Sequence, residues 1–166
     1  MFVLGIDPGV SRCGYGCVEG GTAGRSRAVA VGVLTTPPSE PLPNRLAELD
    51  TELRGLIREL RPDVVAVERV FFQVNARTAM SVGQASGLAL VAAAQAGCEV
   101  AQYTPNEVKS AVAGYGSAPK EQVQRMVQSL LGLAEVPSPP DAADALALAL
   151  CHLAMAPLRA RAGVKR

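Results

Sequence analysis

Three apolar runs open the chain with scarcely a break, and every later apolar run alternates with a helical stripe. This order of periodicities limits the fold more than any single residue does. Phe2 to Asp7 and Cys13 to Glu19 are strand-like and flank a Pro8-Gly9 turn, and Arg27 to Leu34 continues in valines. They predict an antiparallel meander. After Pro37-Pro38, the residues Leu46, Leu49, Leu53, Ile57 and Leu60 recur at spacings of three and four, the stripe of a helix starting at Asn44. Val64 to Val67 is a short continuous apolar run ended by Glu68, which suits a strand buried on both faces of a sheet. A helix over Thr78 to Ala94 and a strand over Cys98 to Tyr103 follow. Thr104-Pro105-Asn106-Glu107 then opens a helix with a capping box, Val123 to Leu133 forms another, and Ser138-Pro139-Pro140-Asp141 opens the last. Three strands followed by alternating helices and strands make an α/β domain with a mixed central β-sheet flanked by helices, antiparallel early and parallel late.

The chain has 166 residues, enough for one well-buried domain and too few for two. Residues 1–157 are read as that domain and 158–166 as a short basic tail. Apolar residues make up 49% of the chain and charged residues 19%, a balance that excludes disorder. The four cysteines form no Cys-x-x-Cys pair, and the only histidine is His152, so a zinc site is not indicated and a reduced, cytoplasmic setting is expected. The N-terminus reads as a strand and not as a signal peptide. Thr78 to Cys98 carries no charge, but Ser81, Gln84, Ser86 and Gln95 leave it too weakly apolar for a membrane span. Its Gly83-x-x-x-Gly87 spacing admits a closely approaching backbone.

Asp7 and Glu68 each follow a strand, and strand ends on one sheet edge are where α/β folds bind ligands. Asp141 and Asp144, three apart, share a face at the start of a helix. Four carboxylates from two strand ends and one helix start would make an oxygen-rich site for Mg²⁺ or Mn²⁺. Each has a plainer explanation. Asp7 before Pro8-Gly9 suits a turn as well as it suits chemistry, Glu68 can face water, and a capping box after Ser138 explains Asp141. Asp144 is harder to dismiss, because it interrupts a helix of Ala, Leu, Cys and Met and requires water, a cation or a metal. His152 lies two turns further along the apolar half of that helix and reads as a packed residue, not a general base.

Gly5-Ile6-Asp7-Pro8-Gly9, Val67-Glu68-Arg69-Val70-Phe71, Tyr103-Thr104-Pro105, Gly116-Ser117-Ala118-Pro119-Lys120 and Asp141-Ala142-Ala143-Asp144-Ala145-Leu146 stand in one order over nearly the whole chain. This set resembles the bacterial RuvC family of Holliday junction resolvases. The resemblance implies a ribonuclease H-like fold, a homodimer, and Mg²⁺-dependent cleavage of four-way DNA junctions by paired symmetric nicks. It implies two Mg²⁺ per site, with Mn²⁺ able to substitute, and a RuvA–RuvB branch-migration complex as partner. The family's catalytic and metal-binding acids fall on Asp7, Glu68, Asp141 and Asp144. Its DNA-contacting basic positions match Lys109 and Lys120, and Phe71 matches an aromatic of a loop that engages unpaired bases. Phe72, Gln73, Asn75 and Arg77 lie beside it and are read as further DNA contacts. The implied reaction is phosphodiester hydrolysis leaving 5′-phosphate and 3′-hydroxyl ends.

The formal charge of +1 gives no sign of a polyanion partner. Setting the four acids aside leaves 11 acids against 16 bases, so such a partner is hidden in the sum.

Overall fold

Parity along two neighbouring strands decides what each face of the sheet carries. In the computed structural model, which describes residues 1–21, 25–69 and 76–161 (backbone only at 76–78 and 158–161), five strands pair in the order β3-β2-β1-β4-β5. They are β1 (Phe2–Asp7), β2 (Arg12–Gly20), β3 (Ser26–Thr35), β4 (Val64–Glu68) and β5 (Glu99–Tyr103). The β1–β2 and β2–β3 pairs are antiparallel, whereas β1–β4 and β4–β5 are parallel, as the meander and the later alternation predict.

The helices are α1 (Leu42–Leu60), α2 (Ala76–Gln95), α3 (Pro105–Ala113), α4 (Lys120–Leu131) and α5 (Pro140–Arg161). On one face, Leu4 and Ile6 of β1 and Val65 and Val67 of β4 pack with Leu49, Leu53 and Ile57 of α1 and Ala85, Ala89 and Ala93 of α2. On the other face, Val3, Val64 and Ala66 pack with Val108 and Val112 of α3, Val123 and Val127 of α4, and Leu146 to Cys151 of α5. Side chains alternate along a strand, so Gly5 and Asp7 share the face of Val3, and Glu68 shares that of Val64 and Ala66. Among the described residues, no helix is long and apolar enough to cross a membrane.

The helix starts differ in places from expectation, α2 among them, which begins at Ala76 and not at Thr78. Helix α1 begins at Leu42, with Pro41 as N-cap and a proline in its first turn, and not at Asn44. Proline is tolerated there because the first N–H groups have no partner within the helix. The Asn44 side chain donates to Glu40 at 3.4 Å instead of capping. Helix α4 begins at Lys120, ahead of the apolar run from Val123. Asp141 is the second residue of α5, and its carboxylate accepts from Arg12 across the molecule, which replaces the expected capping role. Helix α5 also runs to Arg161, through Pro157, into the stretch expected as a tail. The Thr104 capping box is present in full, with Glu107 N–H donating to Thr104 Oγ1 at 3.2 Å and Thr104 N–H to Glu107 Oε2 at 2.7 Å.

Candidate active site

Two strand ends and the first turns of α5 meet at one edge of the sheet. The β1–β4 register runs from Val3 opposite Val64 to Ile6 opposite Val67, and one further step sets Asp7 beside Glu68. Glycines bring α5 down onto them. A Cβ at Gly5 would lie 1.9 Å from the Ala145 carbonyl oxygen, and one at Gly14 would lie 2.1 Å from that of Asp141. Only a residue without a side chain lets the helix backbone rest on the strands there. That seating delivers Asp141 and Asp144 to the end of β1.

The electrostatics report the meeting. Asp7 is pushed up to about 7 from an ordinary 3.8, first by burial and then by the charges of Glu68, Asp144 and Asp141, with Lys120 acting in the opposite sense. Glu68 is also raised, by burial and then by Asp144, against the lowering effect of Lys120 and Lys109. So Asp7 feels all three of the other candidate acids, although 61 residues separate it from Glu68 and 73 more separate Glu68 from Asp141.

Basic side chains answer part of this negative field. Lys120 Nζ donates to Asp144 Oδ2 at 2.6 Å, and this bond holds the ammonium above its usual range. Arg12 Nε and Nη2 both lie 2.9 Å from Asp141 Oδ2. Lys109 and Lys120 line a cleft of about 200 Å³ with Glu68, Asp144, Pro105 and Val108. The capping box at Thr104 starts α3 so that Lys109 reaches this cleft, and α4 begins at Lys120 on its other side.

Cys13 lies close enough to feel Asp7 and Asp141, but burial above all pushes its thiol up to about 12, so it offers no thiolate at neutral pH. His152 is buried, and its Nδ1 is 2.9 Å from the Tyr103 hydroxyl, which agrees with a packed residue. Phe71, Phe72, Gln73 and Asn75 lie outside the described residues. Arg77 falls in the first turn of α2, where its side chain is also outside them.

A hard divalent ion suits this donor set, which is all oxygen and carries more negative charge than its surroundings neutralise. Among the described residues, no three candidate ligands stand together closely enough to hold one ion in this conformation. Asp141 and Asp144 each turn an oxygen to a basic side chain instead.

The family model for the crossover junction endodeoxyribonuclease RuvC matches residues 3–152. The chain belongs to the RuvC family. Curated relatives of that name include one from Moorella thermoacetica, 55% identical over 97% of this chain and 96% of its own length. Another, from Chloroflexus aggregans, is 55% identical over 99% of both chains. Among solved structures, Thermus thermophilus RuvC in complex with a Holliday junction substrate is 42% identical, with a TM-score of 0.90 over 95% of this chain and 96% of that one. These neighbours establish the ribonuclease H-like fold that the mixed sheet implies. The yeast mitochondrial Holliday junction resolvase Ydc2, 14% identical with a TM-score of 0.70 over 92% of this chain and 77% of that one, shares the fold. The RuvC family consists of endodeoxyribonucleases, so this chain is an enzyme that hydrolyses phosphodiester bonds.

Reasoning from sequence missed Arg12. It stands 129 residues from Asp141, and only the seating of α5 over Gly14 makes them neighbours. An arginine three residues past the Asp-Pro-Gly turn was the available signal.

Proposed function

We propose that this chain resolves four-way DNA junctions as a divalent-metal-dependent endonuclease, cutting two opposed strands to leave 5′-phosphate and 3′-hydroxyl ends. The observation that carries this reading is the convergence of Asp7 and Glu68, at two neighbouring strand ends, with Asp141 and Asp144 of the helix seated on Gly5 and Gly14, a meeting reflected in the charges that act on Asp7. Asp7, Glu68, Asp141 and Asp144 would hold the ions, two Mg²⁺ or Mn²⁺ per site on the family pattern. When bound, such ions activate a water and stabilise charge on a departing oxygen.

The chain's own side chains bind and orient. Lys109 and Lys120 place positive charge along the cleft beside Glu68 and Asp144, where a strand's phosphates would run. Asp7 and Glu68 end paired strands of the sheet, and α5 sets the spacing of its two aspartates. Phe71 and Phe72 would stack on unpaired bases, with Asn75 and Arg77 at the same crossover, a reading supported by the family motif.

A junction has near two-fold symmetry, and a C2 homodimer offers two equivalent sites to opposite strands. Helix α2 suits the contact. Met80 and Val91 are exposed on it, and among the described residues, the helix's own backbone aside, none comes within 4 Å of a Cβ built at Gly83 or Gly87. Gly87→Glu is expected to halve the sedimentation mass. A RuvA–RuvB complex supplying branch migration is the partner that the family implies.

Incubating the protein with a labelled synthetic four-way junction, with and without Mg²⁺ and beside a linear duplex of the same sequence, tests the proposal. Paired nicks in the junction only with Mg²⁺ are expected. Cleavage of the duplex at an equal rate would overturn it.

A further inference from the structure

Asp141 already has a cation of the chain's own, and the way that cation is held gives it a purpose. Arg12 opens β2, and both donors it presents converge on the same oxygen, Asp141 Oδ2. The turn before it is pinned. Arg45, from the first turns of α1, donates its Nε to Thr36 Oγ1 at 3.0 Å and its Nη2 to Ser11 Oγ at 2.5 Å. Thr36 is buried, and its hydroxyl donates to the Val10 carbonyl at 2.6 Å while its N–H donates to Ser11 O at 3.3 Å. On the other side, the Asp141 backbone rests on Gly14, two residues along the same strand as Arg12. Both partners are therefore set by the strand, although the Arg12 side chain is half exposed.

An oxygen that accepts a guanidinium Nε–H and lies 2.9 Å from a second guanidinium nitrogen has little capacity left for a second cation. Arg12 and a divalent ion are thus competitors for Asp141 Oδ2. Without either, Asp141 would face the charge of Asp7 with only the more distant ammonium of Lys120, which is bonded to Asp144, to answer it. We infer that Arg12 is a positioning residue of this active site, holding Asp141 in the cation-free protein and yielding its oxygen when a divalent ion binds. The inference rests on the reading of Asp141 as a metal ligand. Lys120 stands in the same relation to Asp144.

Calorimetric titration of the full chain with Mn²⁺, in the absence of DNA, tests this without reading activity. Arg12→Gln is expected to tighten Mn²⁺ binding about threefold to tenfold, the scale of a partly exposed ion pair, and Arg12→Lys to return it toward the native value. Unchanged or weaker Mn²⁺ binding by Arg12→Gln, in protein whose circular dichroism is native, overturns the inference. Asp141→Asn tests the reading beneath it and is expected to weaken Mn²⁺ binding roughly tenfold or more. Native affinity in Asp141→Asn overturns the metal-ligand reading itself. In the double variant, Arg12→Gln is expected to have no further effect. A persisting tightening there means that Arg12 does not act through Asp141, which overturns the inference and leaves the metal reading standing.

Discussion

The two faces of one sheet are built on opposite plans. Under α1 and α2, the strands present Leu4, Ile6, Val65 and Val67 to Leu49, Leu53 and Ile57, a core of large side chains. Under α5, the same two strands present Val3 and Val64 to an apolar core of their own, and beside them Gly5, Asp7, Ala66 and Glu68. Small residues there let a helix backbone come down to the sheet, and the acids at the strand ends are left against two more from that helix. Both faces gain stability from burial, about 25 cal/mol per Å² of apolar surface. The second accepts unfavourable charge in order to build a site. A one-residue change of register would exchange the two faces, which is why the parity of β1 and β4 matters so much.

Substitutions on the two faces separate these roles. Gly5→Val should have the largest effect, because its side chain would occupy the space of the Ala145 carbonyl. A loss of about 5 kcal/mol is expected from urea melts, with junction cleavage abolished as α5 lifts from β1. Leu53→Ala, fully buried on the opposite face, should cost about 3 kcal/mol while leaving cleavage at 25 °C within twofold of native. Equal damage to cleavage by both variants, at temperatures where both are folded, would remove the distinction between the faces.

The charged face also carries a pH signature. Asp7 is raised from 3.8 to about 7 in the fold, so between those values the folded protein holds a proton that the unfolded chain has lost. Metal-free protein should therefore lose stability as pH rises from about 4 to about 7 and level off above. The raised Glu68 acts in the same direction. The full shift corresponds to roughly 4 kcal/mol, and solvent screening reduces the expected change to about 2 kcal/mol. Thermal melts across that range check it, and added Mg²⁺ should flatten the slope. The smallest effect should come from Tyr103→Phe, which removes the hydroxyl bonded to His152 and should lower stability by about 1 kcal/mol.

The faces were not equally legible in the sequence. Element order, sheet type and the Thr104 cap follow from local patterns, and the apolar stripe of α1 marks the side of that helix that meets the sheet. Helix starts were less accessible, since Pro41 and Pro119 cap α1 and α4 without any side-chain bond to announce them. At the site, the carboxylates stood out because Asp144 breaks an apolar helix and Asp7 and Glu68 end strands. Their partners did not, because the Arg12–Asp141 and Lys120–Asp144 bonds depend on where α5 settles, a tertiary consequence of Gly5 and Gly14.

If the α5 face gives up stability to hold the reaction's acids, removing one charge should move stability and activity in opposite directions. Asp7→Asn at pH 8, measured both by the thermal midpoint of metal-free protein and by Mg²⁺-dependent cleavage of a labelled four-way junction, tests this directly. The midpoint should rise by a few degrees while cleavage falls about a thousandfold. A variant that cleaves at the native rate, or that is less stable than the native protein without metal, would contradict the account.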